Sequence, residues 1–217
     1  MLPRQQLSRL RRSAWGRLGR LYVVLQPIAP SRWREFDAVV AFGVLEAQNL
    51  WAEFGRASYL SCILDPYLES GARVTRSNAS ILDFDDAIDE IIRKVKPHLY
   101  RPARKGSWTR REEPAWHEAR SLLSGTQLLG VSHQPQVDGS LSTGSAVLRD
   151  LPTFRNFYAH RNKDTFASAL GVATSRYSIH SPMHPTRALC TPAYGRPRPL
   201  LLDWLDDIRI TVELLCA

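Results

Sequence analysis

The chain has 217 residues, 44% of them apolar, and a formal charge of +8, which is enough for one ordinary domain or one domain with an appendage. No apolar run reaches the roughly 18–20 residues of a membrane-spanning helix, so a helical membrane protein is set aside. Cys62, Cys190 and Cys216 are odd in number and far apart; they give neither a disulfide framework nor a C-x-x-C metal knuckle, and buried thiols in a reducing, cytoplasmic setting are expected.

The charge is local. Residues 1–34 hold eight arginines and no acid, and the remaining residues carry 21 basic and 21 acidic side chains. The pattern predicts a basic N-terminal extension over 1–34, loose or weakly helical, attached to a formally neutral domain over 35–217. Such an arm suits a transit peptide, or contact with RNA or an acidic partner.

From Phe36 to Leu64 there is no proline, and Phe36, Val40, Val44, Leu50, Phe54 and Leu64 lie on or near one stripe at 3–4 residue spacing. This predicts a long amphipathic helix stopped by Pro66. Glu46, Asn49, Glu53 and Arg56 line its polar side. A second helix is expected over 83–96, with Phe84, Ile88, Ile91 and Val95 as its stripe, acids early and bases late. Residues 97–113 read as a basic loop, with Arg101, Arg104, Lys105, Arg110 and Arg111 able to touch phosphates or simply to face water. Pro114 opens a third helix running to about Leu129, and 130–142 read as a loop. A fourth helix takes in Val147, Leu151, Phe154 and Tyr158, with Pro152 kinking it or starting its second half. Residues 176–199, with five prolines, read as irregular. Leu201, Leu205, Ile208, Val212 and Leu215 form a strict 4-3-4-3 repeat, a closing helix. The fold class is all-α: an up-and-down bundle of about four main helices with short extra ones.

The fourth helix ends in FRNFYAHRN, residues 154–162, where Arg155, Asn156 and His160 interrupt an apolar stripe. Metal-free cleavage of RNA needs a base to take the 2′-OH proton, for which histidine is suited. It needs a guanidinium fork on the phosphate oxygens as charge grows there. Asparagine can orient either partner. Asn156 and His160 are four apart and share a helix face, whereas Arg155 and His160 lie about 140° apart around the helix.

Arginine and histidine separated by four to six intervening residues occur four times, where composition alone predicts about two. Pro97 interrupts Arg93–His98, and Pro114 interrupts Arg110–His117 and Arg111–His117. Only Arg155–His160 lies in an unbroken helical pattern. The competing assignment is a helix C-terminus where His160 and Arg161 complete the dipole and form a surface ion pair.

FRNFYAHRN resembles the R-N-x-x-x-H motif of HEPN domains (higher eukaryote and prokaryote nucleotide-binding). The long helix AFGVLEAQNLWAEFGRASYLSCIL, with Glu46, Asn49 and Glu53 on its polar side, is similar to that family too, and the resemblance covers roughly 35–217. It implies an all-α homodimer with two motif copies facing one cleft. The implied activity is a metal-independent endoribonuclease, a hydrolase of toxin or defence-effector type that leaves a 2′,3′-cyclic phosphate. Arg155 and His160 become the catalytic pair and Asn156 their polar neighbour. Arg161, Asn49, Glu53 and Glu46 become candidate substrate contacts. RNA is the implied partner, with a nucleotidyltransferase-like antitoxin or another inhibitor protein as a further one, and neither cofactor nor metal is expected. Asn162 stands where some toxin members carry tyrosine. Some such domains are inactive and only bind nucleotides or partners.

Two other groupings carry less. His180, His184 and Cys190 could suggest zinc, but the i, i+4 spacing works only on a helix, and Pro182 and Pro185 oppose one. Glu46 and Glu53 are about 10 Å apart along a helix axis, too far to share a proton; their expected use is a polar seam that pairs with Arg56 or, in a dimer, lies near the Arg155/His160 cleft.

Overall fold

The computed structural model describes all residues except Gly144, Ser181 and Pro182, and not the side chains of Thr143 and Ser145. Among the described residues there are nine α-helices: α1 Leu7–Leu25, α2 Asp37–Ser61, α3 Phe84–Val95, α4 Ala119–Leu129, α5 Gln134–Thr143, α6 Ser145–His160, α7 Lys163–Tyr177, α8 Pro185–Cys190 and α9 Leu200–Cys216. Among the described residues extended pairing is limited to isolated bridges. The all-α class expected from periodicity is observed, and no helix among the described residues is long and apolar enough to cross a membrane.

The chain forms two compact units. The first contains Met1–Ala14, Trp51–Ser145 and Thr211–Ala217; the second contains Trp15–Leu50 and Ala146–Ile210.

In the first unit, α3 packs on α4 and α4 on α5. Asp83 caps α3, its carboxylate accepting from the Asp86 N–H at 2.8 Å, and the acidic start and basic end match the helix dipole. Tyr59 is fully buried, donates to the Ala87 carbonyl at 2.7 Å and lies against the Trp116 ring. A Cβ at Gly125 would come within 2.8 Å of the Tyr59 ring, so only glycine permits this approach. Buried Glu113 accepts from Arg56 at 2.6 Å, Trp116 at 2.8 Å and Arg110 at 3.1 Å. Arg56 is therefore used by Glu113 and not, as its spacing suggested, by Glu46 or Glu53. The basic loop is also partly spent on the protein itself: Arg104 pairs with Glu112 and Lys105 with Asp86.

In the second unit the core gathers Leu18, Leu21, Leu25, Val40, Val44, Leu151, Phe154, Trp204, Leu205 and Ile208, all buried. Phe154 meets Trp204 edge to face at 5.3 Å between centroids. Asp150 is 1% exposed. It accepts from Tyr177 at 2.9 Å, from its neighbour Arg149 and from Arg176, while the Tyr177 hydroxyl accepts from Trp204 at 3.0 Å.

Three expectations change. Residues 1–34 are not a loose arm. Leu7, Leu10, Ala14, Leu18, Leu21 and Leu25 form a buried stripe on α1, and Arg11 and Arg17 pair with Glu69 and Glu46. Residues 134–143 form α5 rather than a loop, because Val137 and Leu141, one turn apart, are both buried. Residues 163–177 form α7 and 185–190 form α8, so the region beginning at 176 is less irregular than its prolines suggested. Pro152 lies inside the continuous helix α6.

Candidate active site at the end of helix six

The motif occupies the last turn of α6. Leu151, Phe154, Phe157 and Tyr158 face inward, and Asn156 and His160 face solvent, with Arg155 half-buried. The pleat-free geometry of the helix keeps Asn156 and His160 on one side, as their spacing requires. Among the described residues no side-chain hydrogen bond or ion pair engages Arg155, Asn156 or His160.

The next two residues are used differently. Arg161 terminates α6 in the left-handed conformation, φ +46°, a strained state for a side-chain-bearing residue that costs on the order of 1–3 kcal/mol. Its contacts offset that cost. The Arg161 N–H donates to the Phe157 carbonyl at 2.7 Å. Its guanidinium donates to Asp37 at 2.8 Å and lies 5.6 Å from the Tyr158 ring centroid. Asn162 then caps α7: its side-chain oxygen accepts from the Thr165 N–H at 2.9 Å. The elbow between the two helices thus consists of two residues, neither of them glycine. Arg161, expected as a substrate contact, has its charged head on Asp37, the ion pair of the competing assignment. Asn162, at the position where some toxin members carry tyrosine, is a helix cap. Asn162→Ala is expected to cost about 1 kcal/mol in thermal or urea unfolding, with Asn162→Asp close to wild type. An unchanged Asn162→Ala stability would show that the cap carries no weight.

Asp37, in the first turn of α2, ties this elbow to distant chain. One carboxylate oxygen takes Arg161; the other accepts from the Thr186 hydroxyl. Thr186 and Tyr158 hydroxyls lie 2.8 Å apart in a hydrogen bond. Burial pushes the Asp37 carboxyl up, but the hydrogen bonds from Thr186 and Arg161 outweigh it and hold it below the ordinary range. His184 caps α8, with Nδ1 accepting from the Thr186 N–H at 3.2 Å. Its ring stacks on Trp33 at 4.4 Å and meets Phe157 and Phe166 edge-on. Sequence reasoning missed Asp37, Thr186 and Trp33 here. The available signal was His184-Pro185-Thr186, a residue able to cap followed by proline at the first helical position.

This arrangement also resolves the zinc grouping. His184 spends Nδ1 on its cap, Cys190 is buried with its thiol pushed up to about 12 by burial, and Pro182 lies outside the described residues. Among the described residues no cluster of three or more His, Cys, Asp or Glu could hold a metal ion.

Burial pushes the His184 imidazole below its ordinary value of 6.5; Asp37 opposes this, and Arg161 and Arg34 reinforce it. A depressed folded value means that the unfolded chain takes the proton first. The stability from neutral His184 is therefore complete above about pH 6.5 and is lost as pH falls through the lower folded value. His184→Asn retains a capping oxygen and removes the titration. Its unfolding free energy should fall less than that of the wild type between pH 7 and 5, with half-buried His133, also depressed by burial, supplying residual slope. Parallel pH profiles for the two proteins would refute this.

Of the remaining predicted contacts, Glu46 accepts from Arg17 Nε at 3.1 Å, and Asn49 is exposed. No hydrogen bond among the described residues joins either to the motif. Glu53 belongs to the first unit, where its carboxylate accepts from the Met1 ammonium at 3.1 Å. The structure therefore brings together Arg155, Asn156, His160 and Arg161 on one short stretch, and gives both glutamates partners of their own. No protein-family profile, curated protein or solved structure matches this chain.

Proposed function

We propose that the chain is a metal-independent endoribonuclease of HEPN type, a cytoplasmic toxin or defence effector acting as a homodimer. The observation that supports this reading is a division of labour at the end of α6. The side chains of Arg155, Asn156 and His160 have no hydrogen-bond or ion-pair partner among the described residues, whereas the flanking polar residues Arg161 and Asn162 hold the fold.

His160 takes the proton from an RNA 2′-OH. The 2′-oxygen attacks the adjacent phosphorus, and the P–O5′ bond breaks. The products are a 2′,3′-cyclic phosphate and a 5′-OH, whose oxygen receives a proton. Arg155 binds the phosphate oxygens as their charge grows, and Asn156 orients the nucleophile or donates to the phosphate. RNA is the substrate, and a nucleotidyltransferase-like antitoxin or another inhibitor is the controlling partner.

Purified protein incubated with RNA in excess EDTA should produce fragments ending in 2′,3′-cyclic phosphate. No cleavage at high enzyme concentration, or fragments with 3′-OH ends, would overturn the reading.

One observation favours a second reading, a silent module that docks a nucleotide or a partner protein: within one chain no hydrogen bond joins Arg155 to His160, and the helix sets them about 140° apart. Expression in a host separates the two. Growth arrest relieved by His160→Ala supports the nuclease, and indifference to the substitution supports the module.

A further inference from the structure

We propose that the second unit carries a separate binding groove, between α1 and α9, for a planar aromatic acid. The groove encloses about 610 Å³, within the usual range for small-molecule sites. Trp15, Gly19 and Tyr22 of α1 line one wall, and Leu205, Asp206, Arg209 and Ile210 of α9 line the other, with Arg198 at the rim.

The residue spacing builds this shape. Trp15, Gly19 and Tyr22 fall at i, i+4 and i+7, one face of a helix. Seven residues separate the two rings by about 10 Å along the axis, and glycine leaves the space between them open. A Cβ at Gly19 would meet nothing within 4 Å, so the gap is not required by packing. A flat two-ring ligand fits over Gly19 with aromatic side chains at both ends. Leu18 and Leu205 supply a buried apolar floor.

The charges choose an anion. Arg198 donates to the Tyr22 hydroxyl at 3.0 Å and pairs with Asp206 at 2.5 Å, so the one carboxylate lining the groove is already neutralised. Arg209 is exposed and lies 5.6 Å from the Trp15 ring centroid. It has no acidic partner among the described residues, so its guanidinium presents an uncompensated positive fork, which matches a carboxylate in two places. The ring belongs on the aromatic wall and the carboxylate on Arg209.

Isothermal titration with 2-naphthoate tests the site. Saturable binding with one site per chain is expected. The uncharged 2-naphthylmethanol and the non-aromatic cyclohexanecarboxylate should each bind about tenfold more weakly or worse. Arg209→Gln should weaken 2-naphthoate by about tenfold. Gly19→Leu should abolish binding without lowering the melting temperature, since a Cβ there meets nothing within 4 Å and leucine suits a helix interior better than glycine. Absence of saturable binding in the millimolar range, or binding indifferent to both substitutions, would overturn the proposal. None of these outcomes depends on RNA cleavage.

Discussion

Arg155→Ala and His160→Ala should each lower RNA cleavage by about 10²-fold or more, and an equimolar mixture of the two inactive proteins should recover about a quarter of the wild-type rate. The first half follows from chemistry, because removing the base or the phosphate fork raises the barrier while leaving the rest of the site intact. Folding should be unaffected: among the described residues neither side chain has a hydrogen bond or ion pair to lose, and such surface changes usually stay within about 0.5 kcal/mol. The recovery follows from geometry. Five residues along α6 turn the side chain by about 140°, so Arg155 and His160 work together most directly when each comes from a different copy. In a twofold dimer, mixing the variants places half the chains in heterodimers. Each heterodimer holds one site with both functional residues and one with neither, giving about a quarter of the full rate by this twofold symmetry. Sites complete within one chain would show no recovery, and two fully active single variants would remove the motif from the mechanism.

The largest stability effect is expected at Asp150, on the same helix as the motif. Asp150→Ala should cost about 3 kcal/mol, the lower end for breaking a buried charge pair. The carboxylate is 1% exposed and holds Arg149, Arg176 and Tyr177. Its removal leaves the half-buried Tyr177 hydroxyl without this acceptor and two cations without this counter-charge. Arg149 and Arg176 are each about half exposed and can turn to water, which keeps the cost from the upper end. For a chain of this size the melting point should drop by about 6–12 °C. Asp150→Asn, which still accepts from Tyr177, should lose less than Asp150→Ala. A melting point within 2 °C or so of wild type for Asp150→Ala would show that the cluster adds nothing net, as some buried ion pairs do.

The helices that were legible in the sequence share a property: their apolar residues are large and evenly spaced. Val40, Val44 and Phe54 mark α2, and Leu201, Leu205, Ile208 and Val212 mark α9, and all are buried. In α7 the buried residues are Ala169 and Ala173, small side chains that leave little trace among serines, threonines and glycine. In α5 the pair Val137 and Leu141 is framed by Pro135, Gly139 and serines, the composition of a turn. Eight arginines obscured the leucine stripe of α1, because a helix can be strongly basic on one side and core on the other. At the site, placement of the motif on a helix was visible because it depends only on local spacing. The support beneath it was not, since Asp37, Tyr158 and Thr186 meet across separations of 28 and 149 residues. The elbow itself was hidden for a different reason: its left-handed residue is Arg161, and no glycine announces it.

The Asp37–Thr186 bond has a consequence for the order in which the protein is made. The elbow that sets the end of α6 is anchored by a residue near the start of the chain and by one translated 149 residues later. At 5–20 residues per second, about 7–30 s separate their synthesis. Thr186 follows His160 by 26 residues, about 1–5 s at that rate, so the helix end is made before the residue that supports it. The end of α6 therefore gains its Asp37–Thr186 support only once Thr186 has been made.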